Sequence, residues 1–124
     1  MKELWGVAMG GSLGAVARWA LCDWTRRWWV HHLPLGTLLV NIVGGFVIGL
    51  IAAGTLFPLH RHPVWATTLM VGCAGGFTTF SAFSLETMKL ASAGRPEQAV
   101  LNVGANVGLA LLFTVAGFAL GKAL

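Results

Sequence analysis

Hydrophobic residues along the chain fall into four long stretches, separated by short segments that are richer in polar and basic residues. The stretches cover residues 4–22, 34–57, 64–91 and 98–121. A membrane-spanning helix needs about 20 mainly apolar residues, so each stretch predicts one span. Because little sequence is left between the spans, the pattern predicts an all-α integral membrane protein of four helices, forming a single domain over residues 1–124.

The third stretch contains an unusual segment near its middle. Residues 75–84 read Gly-Gly-Phe-Thr-Thr-Phe-Ser-Ala-Phe-Ser. Glycine and β-branched threonine both disfavour a continuous helix, while Phe80 and Phe83 lie one helical turn apart. A broken helix is tolerated in a bilayer only where its freed backbone groups find partners or line a polar cavity. The segment therefore predicts a functional break in the third span, with a plain kinked packing helix as the alternative.

Composition supports the membrane assignment and limits the partners. The chain is 56% hydrophobic and 10% charged, whereas about a quarter of the residues of a soluble domain are charged. The net charge is +4, but the basic residues are scattered over short loops, where they are typical of contact with lipid headgroups. We therefore expect membrane lipid, and not nucleic acid, as a partner.

Basic residues are divided almost equally between the two sides that four spans would create. One side has Lys2, Arg61 and Lys122, and the other has Arg26, Arg27 and Arg95, with Lys89 near a helix end. Unequal lysine and arginine content normally orients a membrane protein. Without such a bias the chain is expected to insert both ways, and two opposite copies can pair about an axis in the membrane plane. This predicts an antiparallel dual-topology homodimer.

The first stretch contains one basic residue, Arg18, and the second contains one amide, Asn41. Arg18 is expected to snorkel, or to pair with a carbonyl or a carboxylate, for which Asp23 and Glu86 are the candidates; a role in attracting anions at a vestibule is the alternative. An unpaired amide in hydrocarbon costs about 2–7 kcal/mol, so Asn41 must face protein or water. Either it forms an interhelical hydrogen bond, or its NH₂ group points toward a permeating anion.

The fourth stretch carries a polar stripe along one helix face. Asn102, Asn106 and Thr114 follow one another at steps of four and eight residues, and Ala110 interrupts the stripe. A polar stripe on a membrane helix faces either a neighbouring helix or a water-filled path. The spacing alone leaves both possibilities open.

The polar residues do not form the sets that enzymes use. The sequence has no nucleophile–base–orienter set, no metal-ligand cluster and no phosphate-binding loop, so an enzyme is not expected. Coupled transporters usually keep a carboxylate deep in the membrane. Here no acid lies at the middle of a span, although Glu86 lies in the last third of the third stretch. This favours passive conduction; the alternative is a small proton-coupled cation or multidrug exporter of the four-helix, dual-topology type.

An anion path is the passive route that these residues fit best. Amides and hydroxyls donate hydrogen bonds, and aromatic ring edges are electropositive. A path lined in this way has no basic residue at its centre to trap the ion, so the ion can leave again. The lining residues would be Asn41, Thr79, Ser81 and Ser84, with the edges of Phe80 and Phe83. The carbonyls exposed by a break at 75–78 would bind a cation, and two copies of the break could hold one buried Na⁺ whose charge favours a nearby anion.

Three segments together resemble the Fluc/CrcB family of fluoride channels. They are residues 10–19 in the first span, residues 36–41 in the second span and the ten residues 75–84. The resemblance implies an antiparallel dimer with two pores, in which Phe80 and Phe83 supply facing rings and Asn41 lines the pore. The family pattern often has serine and threonine where this chain has Ala110 and Ala82.

The resemblance also implies roles for the remaining polar residues. The carbonyls of Gly75 and Thr78 would hold the central Na⁺, and Glu86 would lie near the end of the pore. The polar track of the fourth helix would consist of Asn102, Asn106 and Thr114, and Arg18 and Thr37 would have vestibule or structural roles. The implied function is electrodiffusive export of fluoride across the bacterial inner membrane, which relieves fluoride toxicity.

Overall fold

The computed structural model describes residues 1–29, 33–55 and 61–124, and every regular element in these ranges is helical. The all-α prediction is therefore confirmed for the described part of the chain. Three long helices are α1 (Lys2–Trp28), α2 (Leu35–Ala52) and α6 (Pro96–Ala123). Between α2 and α6 the chain forms α3 (Pro63–Ala66), a π-helical segment (Thr67–Ala74), α4 (Gly75–Phe77) and α5 (Phe80–Ser92).

Three helical units within the described residues are long and apolar enough to cross a membrane. They are Leu35–Ala52, Pro63–Ser92 and Pro96–Ala123, in agreement with three of the four predicted spans. Helix α1 has sufficient length but is not among them. The predicted end of the second span at residue 57 lies outside the described residues.

Helix α1 is longer than the hydrophobic pattern predicts. The first stretch ends at residue 22, and Arg26 and Arg27 were expected in the following loop; in the structure α1 continues to Trp28. An ion pair at i and i+4, with 2.7 Å between Arg27 Nη2 and Asp23 Oδ2, supports the added turns. Arg26 and Arg27 also lie in the last turn, where positive charge complements the helix dipole.

Glycines allow the long helices to pack closely. A methyl group added to Gly45 of α2 would come within 2.7 Å of the Thr114 hydroxyl oxygen on α6. Likewise, a methyl group on Gly10 of α1 would lie 3.0 Å from the amide nitrogen of Cys73, and one on Gly14 would lie 2.8 Å from that of Phe77. Small residues at such contacts let helix backbones approach each other in lipid, so α1 packs directly on the first half of the third span.

We expect Gly117→Ala to lower the stability of the protein by about 1–3 kcal/mol, because the added methyl group overpacks the contact between α6 and α2. That methyl group would lie against the Phe46 carbonyl and 3.1 Å from the amide nitrogen of Leu50. Thermal unfolding in detergent measures the effect. Gly104→Ala is the matched control, since no atom lies within 4 Å of its added methyl group. Equal melting temperatures for both variants would contradict the close packing at Gly117.

The third span is broken near its middle, as the sequence predicts, but the break lies at the threonines. Gly75 and Gly76 are helical, and the backbone becomes extended at Thr78 (φ −74°, ψ 159°) and Thr79 (φ −152°, ψ 120°). Thr79 starts α5 as its N-cap, since its Oγ1 accepts a hydrogen bond from the Ala82 amide at 3.2 Å. The break expected at 75–78 therefore lies at the end of that range, at Thr78 and Thr79, and the alternative of a merely kinked helix is wrong.

Candidate functional site

Two side chains hold the peptide group that joins Thr78 to Thr79. The carbonyl of this peptide group accepts a hydrogen bond from Arg18 Nη1 at 3.1 Å. Its N–H donates to Asn41 Oδ1 at 2.9 Å, and Asn41 Nδ2 donates to the next carbonyl, that of Thr79, at 3.1 Å. Helices α1 and α2 thus satisfy the polar groups that leave the helix at the break, as a bilayer requires.

A chain of amides extends from Asn41 across to α6. Asn41 Nδ2 also donates to Asn106 Oδ1 at 2.9 Å, and Asn106 Nδ2 donates to Asn102 Oδ1 at 3.0 Å. Asn102 Nδ2 in turn donates to the Thr87 hydroxyl at 2.9 Å. Asn102 and Asn106 are each only 3% exposed. Within the described chain, this part of the α6 stripe therefore faces neighbouring helices, and Asn41 forms the interhelical hydrogen bonds expected of a membrane amide.

A cavity of about 360 Å³ lies beside the break. We call it the break cavity. The Phe80 and Phe83 rings meet edge to face with 5.2 Å between their centroids. Phe83 is buried, whereas Phe80 is 75% exposed. The cavity brings together many of the residues predicted for the ion path; its lining includes Asn41, Thr78, Thr79, Phe80, Phe83, Asn106 and Ala110.

Other residues predicted for the path do not line this cavity. The Ser84 hydroxyl is exposed and donates to the Phe80 carbonyl at 2.9 Å, while the Ser81 hydroxyl lies 3.3 Å from Thr79 Oγ1. Thr114 donates to the Ala110 carbonyl of its own helix at 2.8 Å. These hydroxyls are at least partly satisfied within the protomer.

A second cavity of about 400 Å³ lies between the end of α1, the start of α2 and the second half of α5. We call it the basic cavity, because Arg26, Lys89 and Arg95 are among its lining residues. Thr37 and Glu86 also line it, with the Thr37 hydroxyl donating to Glu86 Oε1 at 2.7 Å. Positive residues around a cavity raise the local concentration of anions. Helix α5 connects this cavity to the break cavity.

The structure corrects the expected partners of Arg18. Asp23 pairs with Arg27, and Glu86 accepts from Thr37. Arg18 instead binds a main-chain carbonyl, the other kind of partner that was expected.

Sequence reasoning missed Thr87 and used Lys89 only as a marker of orientation. A signal for Thr87 existed, because it lies four residues after Phe83 and therefore on the same face of α5.

The end of α4 has oxygen ligands that suit a small monovalent cation. In a continuous helix the Thr79 N–H would bond to the Gly75 carbonyl, and the Ala82 N–H to the Thr78 carbonyl. These amides donate instead to Asn41 Oδ1 and Thr79 Oγ1. The carbonyls of the last turn are thereby released from the helical pattern, and unwound backbone carbonyls are ligands that Na⁺ uses in membrane proteins.

Comparison with known proteins identifies the family. A family model described as "CrcB-like protein, Camphor Resistance (CrcB)" matches residues 5–118. Three similar proteins named "Fluoride-specific ion channel FluC" come from Erwinia tasmaniensis, Serratia proteamaculans and a Sulfurihydrogenibium species. They are 43%, 40% and 34% identical to this chain, covering 95%, 97% and 100% of it and 94%, 94% and 100% of their own lengths. With helices apolar enough to cross a membrane several times, this multi-pass membrane protein belongs to the CrcB-like family.

Proposed function

We propose that this protein is a fluoride-selective passive channel that exports fluoride from the bacterial cytoplasm across the inner membrane. The observation that carries the proposal is the close similarity to proteins named as fluoride-specific ion channels over nearly the whole chain. Since these relatives are channels, the chain is not an enzyme. Export needs no coupling ion, because a negative interior drives an anion outward with about 2.3 kcal/mol per charge per 100 mV.

The ion path runs from the basic cavity along α5 to the break cavity. Anions gather at the basic cavity, pass the Thr37–Glu86 pair, and reach the ring edges of Phe83 and Phe80 beside Asn41. The Asn41 amide is held in place by Thr79 and Asn106, so its orientation is set before an ion arrives. The flanking polar groups along this route are those of Thr79, Ser81, Ser84, Asn102, Asn106 and Thr114.

A second, inverted copy of the chain completes the path. Gly75, the first residue of α4, is exposed, and the Phe80 ring after the break is 75% exposed. The Gly75 carbonyl, released from the helical pattern, cannot face lipid, so a protein surface must cover it. The near-equal distribution of lysine and arginine permits both orientations. An antiparallel, dual-topology homodimer of four-span protomers, with α1 as the fourth span, satisfies both requirements.

A structural Na⁺ at the centre of this dimer fits the released carbonyls. The carbonyl oxygens of Gly75 and Thr78 would hold the ion, and its charge would favour anions in the nearby path. Asn41 Oδ1 and Thr79 Oγ1 take the amides that would otherwise bond to these carbonyls, and the Thr78 carbonyl accepts only from Arg18 among the hydrogen bonds described above.

Fluoride efflux from proteoliposomes tests the proposed function. We expect efflux to begin when a potassium ionophore relieves the charge imbalance, with much slower chloride efflux and with no response to an imposed proton gradient. A rate that follows the proton gradient would favour the coupled exporter instead. Absence of fluoride efflux from correctly assembled protein would refute the channel.

A further inference from the structure

Arg18 is the only arginine or lysine placed well inside α1, and it reaches the break. Its guanidinium donates to the Thr78 carbonyl at 3.1 Å, sixty residues away in the sequence. The two acids expected as its partners bond to other residues, since Asp23 pairs with Arg27 and Glu86 accepts from Thr37. Within the described residues, its charge therefore faces a main-chain carbonyl at the C-terminal end of a half-helix, where the helix dipole is negative.

The same carbonyl oxygen belongs to the proposed sodium site. A carbonyl has two lone pairs, so one oxygen can accept from the guanidinium and also contact a metal ion. Two positive charges that share one acceptor nevertheless repel each other, and they do so strongly where water is scarce. Arg18 is half-buried where α1 packs on the third span, so this repulsion is poorly screened.

We propose that Arg18 is a tethered cation that competes with sodium for the Thr78 carbonyl and thereby limits how tightly the break holds the metal ion. This inference rests on the sodium site of the proposed function. Arg18 is a positioning residue: it holds the Thr78–Thr79 peptide group when no ion is bound, and its guanidinium shifts when an ion binds. Its positive charge remains beside the path in both states.

Variants that separate charge from hydrogen bonding test the competition. Arg18→Gln keeps a donor but removes the charge, so sodium should bind about tenfold more tightly or better. Arg18→Lys keeps the charge and should bind sodium within about threefold of the unaltered protein. Arg27→Gln is the matched control, since it removes an exposed charge from the same helix away from the break. Sodium binding is measured by equilibrium binding of ²²Na⁺, and by melting temperature against sodium concentration at constant ionic strength.

A second measurement uses the unaltered protein, so its result does not depend on whether a variant folds. In NMR spectra of protein with ¹⁵N-labelled arginine, the side-chain signals of Arg18 should shift as sodium is added, and those of Arg27 should not. Unchanged Arg18 signals under saturating sodium, or equal or weaker sodium binding by Arg18→Gln, would overturn the competition. If the unaltered protein shows no saturable sodium binding, both the sodium site and this inference fail, while fluoride efflux still decides the channel function independently.

Discussion

Replacing Asn41 with aspartate is expected to abolish fluoride efflux. The carboxylate would lie where the Asn41 amide now donates to the Thr79 carbonyl at 3.1 Å and to Asn106 Oδ1 at 2.9 Å. It would also repel a permeating anion. Two unit charges about 4 Å apart at an effective dielectric constant of about 20 interact with about 4 kcal/mol, and this corresponds to about a thousandfold in rate.

Asn41→Ala separates the effect of charge from the loss of the hydrogen bonds at the break. Alanine removes the contacts to Thr79 and Asn106 without adding charge, so efflux should fall about tenfold and the melting temperature should fall as well. Both variants are compared with the unaltered protein by efflux from proteoliposomes and by the mass of the purified protein in detergent. If the Asn41→Asp and Asn41→Ala variants conduct fluoride at the same rate, Asn41 does not lie next to the permeating ion.

Replacing Phe80 with leucine is expected to slow fluoride efflux by roughly tenfold to a hundredfold, which corresponds to about 1.4–2.7 kcal/mol in the barrier. Leucine fills similar space but lacks the electropositive ring edge. Because Phe80 is 75% exposed in the protomer, its loss leaves no cavity in the protomer core. The melting temperature should therefore change little.

Two further phenylalanine variants complete this test. Phe113→Leu is the matched control, because the Phe113 ring is also exposed and lies outside the break cavity; its efflux should be unchanged. Phe83 is 6% exposed, so Phe83→Leu should lower both efflux and stability. If the Phe80→Leu and Phe113→Leu variants conduct fluoride at the same rate, the Phe80 ring does not line the path.

Local pattern was sufficient to locate the break and several residues that gather around it. Consecutive threonines, paired phenylalanines and an isolated amide are informative because a bilayer tolerates few polar groups without partners. Asn41, Thr79, Phe80 and Phe83 could therefore be selected from the sequence, and the structure places all four at one cavity. Their roles in conduction stay predictions.

The details that sequence reasoning missed depend on partners distant in the chain. Helix propensity disfavoured a continuous helix at the glycines and at the threonines alike, but the extended residues are Thr78 and Thr79, which Arg18 and Asn41 stabilise from other helices. No local pattern specifies such contacts. The π-helical turns at Thr67–Ala74 were also not predicted, since apolar residues of this kind fit several helix types.

Both side chains that hold the Thr78–Thr79 peptide group come before it in the sequence, and this bears on how the protein is made. Arg18 and Asn41 leave the ribosome earlier than the break that they bind. When the third span leaves the translocon, α1 and α2 already carry the groups that its unpaired peptide needs. The partners of the break are thus present as soon as it is synthesised, and α6, which is synthesised last, brings Asn106 to the Asn41 amide.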